Sequence, residues 1–462
     1  MRSNASHLLA LVSWLALASS IEAASVTSLF SVKDYGATGD GARMETSSIN
    51  AAIDACAAAG GGTVYLPPGK YLTGTVVLKN HVSLQLDAGA VLLGSEDPKD
   101  YLLIDDPWDD TTKTIAPLIY ADHATNITLT GRGTIDGQGQ VWWKRQWLAH
   151  PKRGMPEATS PEDEAEAKKI DNGRPRLIRL VHCQDVVIEK LTLKNSGMWT
   201  VNPLFCGFVR VDGVTVLNPV PSPNTDGINP ESCRNVQIIN CRIDVGDDCV
   251  TLKSGMDAVG RRVGMPDENI TIANCVMLRG HGGVTIGSEM SGGVRNVTVA
   301  NCVFQGTDIG IRVKSQRGRG GVVEGVTVDN ITMENVPHPF VITTFYMGKD
   351  RPEDHFTVGE GTPRFRDFLF SNIEARGALD AGSITGLREL PVEDIAFSNV
   401  RISAGKGFTC TDARHVGFYD VEINPSNGPA MILRDASETD TTRLRSRTLS
   451  ADTPLVQTNL SR

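Results

Sequence analysis

The chain has 462 residues and a formal net charge of −9, with 40% apolar and 21% charged residues. The negative charge excludes a basic nucleic-acid-binding protein on global grounds, and the composition is that of a globular protein with a large core. The 46 glycines and the aromatic content of only 6% are typical of chains built from many short strands and tight turns.

The N-terminal segment, residues 1–23, is predicted to be a secretory signal peptide. Arg2 supplies a positive charge, residues 8–18 form an apolar run, and small residues follow where cleavage would occur. This run is shorter than the ~20 residues that a membrane span needs, so no membrane association is expected. We therefore expect a protein that is secreted or periplasmic.

A helix is predicted over residues 46–59. Its apolar residues, from Ile49 to Cys56, recur at helical spacing, and three consecutive glycines at 60–62 end the pattern. Beyond it, the apolar pattern alternates every second residue, which indicates strands. We expect this helix to cover one open end of the strand-rich domain.

One template then recurs along the chain: a polar residue, a Val/Ile-rich strand, and an Asn that Cys often follows. Clear copies start 27 to 34 residues apart and read Asn235-VQIINC, Asn269-ITIANC and Asn296-VTVANC. Short strands repeated at this interval are typical of a β-solenoid. The fold class is therefore predicted as all-β, a single-stranded right-handed parallel β-helix over residues 24–436. The recurring cysteines are expected to be small buried residues rather than a disulfide framework.

Two segments depart from the template. Residues 137–176 contain three tryptophans beside a charged run, and they are predicted to be a long loop with one helix, inserted between coils. The tryptophans are expected to pack against the coil rather than to stack on a sugar. Residues 437–462 are polar and lack the repeat, and we expect this tail to fray.

Unusual polar residues occupy matching positions in consecutive repeats. Counted from the first residue of its repeat, Asp247 lies at +12, and so does His281. In the strand of the next repeat, Arg312 and Lys314 fall on alternate positions that point outward. Because successive coils lie one strand spacing of ~4.8 Å apart, these side chains should share one patch on the outer wall.

Two further aspartates join this patch. When a slightly longer loop is allowed in the preceding coil, Asp226 lies directly beneath Asp248, the neighbour of Asp247. Three carboxylates packed this closely repel one another, so at least one should have a raised pKa. A protonated and an ionised carboxyl group are the requirement for glycoside hydrolysis, and the neighbouring cations suit an anionic sugar.

Four motifs in this patch resemble those of the polygalacturonases, the pectin-degrading β-helix glycosidases of glycoside hydrolase family 28. They are Asn224-Thr225-Asp226, Gly246-Asp247-Asp248, Gly280-His281-Gly282 and Arg312-Val313-Lys314. Only the middle residue of the last motif departs from the family, where Val313 replaces Ile and points inward. The resemblance extends from about Val32 to Asp435.

The resemblance implies an inverting hydrolase of α-1,4-linked galacturonan. Asp247 would be the general acid, Asp226 and Asp248 would position and activate water, and His281 would tune the acid. The substrate-binding residues implied by the resemblance are Asn224, Arg312, Lys314 and Tyr346. It implies no metal and no cofactor, and the expected partner is a polygalacturonate or pectin chain, bound by a monomer.

Long segments beside the patch favour an exo-acting enzyme, because they can close one end of a groove. These are residues 137–176 and a widened loop at Met256–Arg262, and residues 287–293 also resemble exo-acting members. One alternative is an endo-polygalacturonase. Another is a rhamnogalacturonan hydrolase, an enzyme that would share the aspartates but lack the Arg-x-Lys pair. A pectate lyase would need a calcium cluster, and a non-catalytic β-helix binding protein would not need three carboxylates.

Overall fold

The computed structural model describes residues 28–151, 158–347, 354, 356–450 and 452–459. The predicted signal peptide, residues 1–23, lies outside the described residues. The described chain forms the predicted right-handed parallel β-helix, in which each coil contributes strands to three parallel sheets. No helix among the described residues is long and apolar enough to cross a membrane.

Three sheets run along the helix axis, and we number them in the order in which a coil visits them. Sheet 1 comprises Leu29–Ser31, Gly62–Leu66, Val82–Leu86, Thr125–Gly131, Gln184–Glu189, Gly207–Asp212, Arg234–Ile239, Asp267–Ala273, Val294–Gln305, Val322–Glu334, Arg364–Asp380 and Val392–Tyr419. Sheet 2 comprises Asp40–Met44, Gly69–Thr73, Ala90–Gly94, Thr134–Asp136, Thr192–Lys194, Thr215–Leu217, Arg242–Asp244, Val276–Arg279, Val421–Ser437 and Leu444–Arg445. Sheet 3 comprises Val76–Val77, Ile119–Asp122, Ile178–Val181, Val201–Leu204, Val250–Leu252, Val284–Gly287, Ile309–Lys314, His338–Thr343, Ser383–Thr385 and Val456–Asn459.

From Val294 onward the strands of sheets 1 and 2 are continuous, so one long strand serves both sheets. The last two long strands, Val392–Tyr419 and Val421–Ser437, also contribute residues 408–411 and 431–434 to sheet 3. The remaining elements lie outside the coils. They are an antiparallel hairpin of Leu103–Asp106 and Asp109–Ile115, the 3-10 turns Val32–Tyr35 and Pro98–Asp100, and helices α1 (Thr46–Ala58), α2 (Gln140–Ala149), α3 (Pro161–Lys168) and α4 (Asp257–Val263).

Asparagines hold the corner between sheets 1 and 2. A backbone with positive φ is costly for most residues, but Asn tolerates it, and its side chain can bond to the Asn of the next coil. At this corner Asn274 donates to Asn240 at 3.4 Å and Asn330 donates to Asn301 at 2.8 Å, and all four have φ between 54° and 58°. This ladder keeps successive coils in register. The nine cysteines are buried and free, and the burial of those that recur in the template agrees with the sequence prediction.

The core runs the length of the coils, and phenylalanines fill its C-terminal part. Phe370 precedes Phe397 in the sequence and Phe418 follows it, and both rings stack on the ring of Phe397. Their centroids lie 4.8 Å and 5.0 Å from the Phe397 centroid. Edge contacts from Phe340 and Phe408 complete the cluster. The five rings come from three strands, His338–Thr343, Arg364–Asp380 and the long Val392–Tyr419, so the cluster fastens consecutive coils together.

Helix α1 covers the N-terminal end as predicted. Its face from Ile49 to Cys56 is fully buried, and the chain leaves it through glycines with positive φ at 60–62. The described part of the insertion at 137–176 holds two helices, α2 and α3, where one was predicted. The missed signal is local: Ser160 caps α3 by accepting from the Asp163 amide, and Pro161 follows at its first position.

Two tryptophans of the insertion, Trp142 and Trp143, are buried against the coils, which agrees with the packing interpretation.

The prediction of a widened loop at Met256–Arg262 is wrong in one respect, because residues 257–263 form helix α4. Asp257 in its first turn and basic residues in its last turn complement the helix dipole, and Gly264 ends it with φ of 61°.

The expectation of a frayed tail at 437–462 is also wrong for the described residues. The strand Val456–Asn459 pairs in parallel with Met431–Arg434 and extends sheet 3. Leu444, Leu449 and Leu455 pack against the core. An unpaired strand edge exposes backbone groups, and this segment covers such an edge at the C-terminal end of the coils.

Replacing Phe397 by Ala should lower the free energy of unfolding by about 3–5 kcal/mol, because it leaves a cavity amid four rings. The matched control is Phe208→Ala in sheet 1, where the ring is 56% exposed and its removal should change stability by about 0.5 kcal/mol or less. Denaturant unfolding measures both variants. Equal effects of the two substitutions would show that the stack does not hold the coils together.

Candidate active site

The candidate residues lie where successive coils enter sheet 3. A parallel bridge joins Ile228 to Val250, and the Gly227 amide donates to the Asp248 carbonyl oxygen at 3.0 Å. This register places Asp226 beneath Asp248, as the sequence predicts. In the next coils Val250 pairs with Val284, so that outward positions also align from coil to coil.

Three carboxylates meet at this point. One oxygen from each of Asp226, Asp247 and Asp248 lies within 4.8 Å of the others. Asp226 and Asp248 are almost completely buried, at 3% and 1% exposure, whereas Asp247 is partly exposed toward solvent. The cluster therefore combines two carboxyl groups that are fixed in the protein with one that can meet a ligand.

Asp248 is neutralised by two cations of a later coil. Lys314 Nζ lies 2.8 Å from its Oδ2, and Arg312 donates to its Oδ1 at 3.3 Å. Burial alone would raise the pKa of Asp248, but the charges of Lys314 and Arg312 outweigh burial and hold the pKa below its ordinary value. Asp248 therefore stays ionised at neutral pH despite its burial.

Asp226 has the opposite environment. Its Oδ2 accepts hydrogen bonds from Asn229 at 2.9 Å and from Thr251 at 3.1 Å, and no cation is within ion-pair distance among the described residues. Burial, followed by the charge of Asp247, raises the pKa of Asp226 from 3.8 to about 7. The predicted carboxyl group with a raised pKa is therefore present, and Asp226 is the one that carries the effect.

Asp247 is held through one oxygen. Its Oδ1 accepts from the Asp248 amide at 2.9 Å and lies 3.3 Å from His281 Nδ1. The hydrogen bond to Asp247 raises the pKa of His281, which is half exposed. Since no described group bonds to Oδ2 of Asp247, that oxygen is available to a ligand.

Two of the predicted substrate-binding residues border this cluster. The ring of Tyr346 lies 4.9 Å from Lys314 Nζ and 5.4 Å from the Arg312 guanidinium carbon, so it packs against both cations. Asn224 is exposed, with φ of 56°, and its Oδ1 accepts from Arg174 at 2.8 Å. The structure thus brings all eight predicted site residues to one region of the wall.

The model of the family described as glycosyl hydrolases family 28 matches residues 63–418, which include every candidate residue. The chain belongs to glycosyl hydrolases family 28. The predicted resemblance is confirmed.

Similar family 28 proteins carry names for both modes of cleavage. A probable polygalacturonase of Vitis vinifera is 34% identical over 407 residues, covering 84% of this chain and 77% of the relative. An endo-polygalacturonase of Pectobacterium carotovorum subsp. carotovorum is 32% identical over 350 residues, covering 72% and 77%. A solved exopolygalacturonase from Thermotoga maritima is 30% identical, with a TM-score of 0.75, over 85% of this chain and 91% of that one.

The family 28 site occupies a cavity of about 590 Å³ whose walls contain residues that the sequence did not reveal. Lys253 is buried and its Nζ lies 2.9 Å from Glu289 Oε2 and 4.7 Å from the ring centre of Trp199. Arg174, from the inserted segment, also lines the cavity. Lys253 occupies an outward-pointing position of its repeat, so the repeat pattern could have indicated it. Arg174 lies outside any repeat, and no pattern in the sequence marks it.

Geometry alone would let the three aspartates of this family 28 site surround a cation, since carboxylate oxygens are ligands for hard metal ions. Asp248, however, already bonds through both oxygens to Arg312 and Lys314. A raised pKa keeps Asp226 largely protonated below pH 7. The protein's own cations therefore supply the charge that a metal ion would bring.

Asp226→Asn should make the fold more stable at pH 8 than the unsubstituted protein. The folded state retains the Asp226 proton up to about pH 7, whereas the unfolded chain releases it near 3.8. The stabilising effect of that proton is thus complete below about pH 4 and lost as pH rises to 7. Melting temperatures of both proteins from pH 4 to pH 8 measure the difference, which should grow with pH.

The matched control is Asp248→Asn, which leaves buried Lys314 and the neighbouring Arg312 without their carboxylate. This variant should be less stable than the unsubstituted protein at pH 8. A pH-independent difference for Asp226→Asn, or the same sign for both variants, would contradict the assignment of charge in this cluster.

Proposed function

We propose that this family 28 chain is an exported, exo-acting polygalacturonase that hydrolyses α-1,4-glycosidic bonds of polygalacturonan with inversion. The observation that carries the proposal is the cluster of three carboxylates and Lys314 in one cavity, with Arg312 paired to one of these carboxylates, Asp248. The relatives named polygalacturonase support the substrate. The predicted signal peptide at 1–23 is the basis for export.

Asp247 is assigned the role of general acid. Its Oδ1 is bonded to the Asp248 amide and to His281, so Oδ2 is left to carry a proton to the leaving oxygen. His281 orients the carboxyl group through this contact. Asp226 carries the proton that the cluster retains up to about pH 7. We assign the working state to transfer of that proton from Asp226 to Asp247, which leaves Asp226 ionised and able to accept a proton from water.

Asp226 and Asp248 are assigned to the attacking water. Carboxyl groups of inverting glycosidases are usually about 6.5–9.5 Å apart, and the oxygens here approach more closely. With three carboxylates, however, the water can be bound by the Asp226–Asp248 pair rather than between acid and base. Asp248 is a poor covalent nucleophile, since Lys314 and Arg312 already bind both of its oxygens.

Arg312 and Lys314 are assigned to the carboxylate of the sugar on the leaving-group side. A guanidinium and an ammonium group on alternate residues of one strand give directed, charge-assisted hydrogen bonds to an anionic sugar. Tyr346 packs against both cations and restricts their movement. A neutral sugar at this position would leave these charges without a ligand, which disfavours a rhamnogalacturonan substrate.

Exo action is supported by what surrounds the cavity. His150 and Asp171 of the inserted segment line it. Arg319 also lines it, and its guanidinium is 2.6 Å from Asp257 of helix α4. Walls of this kind stop a polymer from lying across the cavity, so that only a chain end can enter. The Thermotoga maritima protein of similar structure is named as an exopolygalacturonase.

Hydrolysis of polygalacturonate should raise the number of reducing ends while the viscosity of the solution stays nearly constant. Removal of one terminal sugar at a time barely shortens the polymer, whereas internal cuts halve it quickly. Reducing-end assays and viscometry on the same sample make the comparison. A steep fall in viscosity at a few per cent hydrolysis would mean internal cleavage.

The Asp247→Asn variant is the catalytic control for this experiment. The amide preserves the shape of the side chain but cannot deliver a proton, so turnover should fall by about 10²-fold or more. Substrate binding should persist, because Arg312 and Lys314 are unchanged. Retention of a tenth of the turnover would reject Asp247 as the acid.

A further inference from the structure

The cations of the cavity differ in how their charges are balanced. Three of them face a carboxylate: Lys253 is paired with Glu289, Lys314 with Asp248, and Arg319 with Asp257. The fourth, Arg174, is only 6% exposed, yet it forms no ion pair within the described part of the chain. Burial lowers the pKa of Arg174 to about 10, and the charges of Asp226 and Asp247 act on it only from beyond ion-pair distance. A buried cation with no carboxylate in direct contact is costly, so its presence in a cavity needs an explanation.

The guanidinium of Arg174 is nevertheless held firmly. It donates to the carbonyl oxygens of Gly197 at 2.9 Å and Pro223 at 2.7 Å, and to Oδ1 of Asn224 at 2.8 Å. All three acceptors are uncharged. A guanidinium has five N–H donors, so two remain for a ligand, and the group is already oriented before any ligand arrives.

Along the axis of the β-helix, the carboxylates lie between Arg174 on one side and the Arg312–Lys314 pair on the other. Arg174 immediately precedes the strand Ile178–Val181 of sheet 3 and reaches Asn224, one coil before Asp247. Arg312 and Lys314 lie two coils after Asp247. A glycosidic bond at Asp247 would therefore have one sugar toward each cationic group.

We propose that Arg174 binds the carboxylate of the terminal galacturonate, the sugar that is released, and thereby makes the enzyme select a charged chain end. This inference rests on the proposed function. Arg174 lines the cavity together with residues 150 and 170–171 of the same insertion. A terminal sugar beside this nearly buried arginine would bury its carboxylate, and a planar guanidinium can bind that group through two parallel hydrogen bonds.

Arg174 could instead serve only to hold Asn224 and two backbone carbonyls in place. A positioning role of this kind would affect all substrates alike, whether or not their terminal sugar is charged. The carboxylate of the substrate must therefore be varied together with the arginine.

The experiment uses trigalacturonate as three substrates: the free acid, one with a methyl ester on the non-reducing terminal unit, and one with the ester on the reducing terminal unit. The full-length protein should prefer the free acid over the first ester by about 10- to 100-fold in kcat/KM. The second ester lies away from Arg174 and should change kcat/KM far less. In Arg174→Gln the preference over the first ester should fall to within a few-fold of unity.

Two further variants make the result specific. Arg319→Gln removes a charge from the same cavity, but its guanidinium is already paired with Asp257, so the preference for a charged terminus should remain. Arg174→Lys keeps the charge without the fork and should retain part of the preference. Circular dichroism and melting temperature establish that each variant is folded.

The possible outcomes separate the inference from the function on which it rests. If the unsubstituted protein does not cleave the free acid, the proposed function fails. If it cleaves the free acid and the first ester equally well, the function stands and the role of Arg174 is overturned, without reference to any variant. The role is also overturned if Arg174→Gln is slower on all three substrates by the same factor, which is the result for a positioning residue.

Discussion

Every functional feature of this chain depends on the register between neighbouring coils. Parallel pairing places a residue of one coil ~4.8 Å from its counterpart in the next, so groups far apart in sequence become neighbours. Asp226 and Asp248 meet for this reason, and a shift of one residue would turn one of them into the core. The asparagine ladder at the corner of sheets 1 and 2 fixes the register, because each Asn must match the one below it.

The same stacking creates an electrostatic problem that the next coils resolve. Three carboxylates in one buried cluster cannot all be ionised without a large cost in free energy. Lys314 and Arg312 neutralise Asp248, and burial makes Asp226 retain its proton up to about pH 7. The cluster therefore contains an ionised and a protonated carboxyl group at the same pH, which is the combination that acid-base hydrolysis of a glycoside needs.

The features that repeat could be predicted from the sequence. Two-residue alternation and the spacing of the Asn-containing template predict the β-helix, the inward positions of its strands and the alignment of Asp226 with Asp248. Helix α1 was equally visible, because its apolar residues follow a helical period up to the glycines at 60–62. The assignment of the three aspartates to acid and water-activating roles came from the resemblance to family 28, since pattern alone does not distinguish them.

The features that do not repeat could not be predicted in the same way. Helices α2 to α4 form in segments without a counterpart in other coils, so only local caps mark them. The tail strand Val456–Asn459 is held by the sheet edge that it covers rather than by its own polar sequence. Arg174 belongs to such a segment, and its place beside Asn224 depends on the path of the insertion across two coils.

The central claim is that Asp247 gives a proton to the leaving oxygen while Asp226 and Asp248 direct a water molecule in a single displacement. The most direct test is proton NMR of the anomeric signal during the first minutes of hydrolysis, before the sugar equilibrates in solution. Single displacement at an α-linkage predicts that the new reducing end appears first as the β-anomer. Initial formation of the α-anomer would mean that a carboxylate attacks the sugar covalently, and would contradict the account.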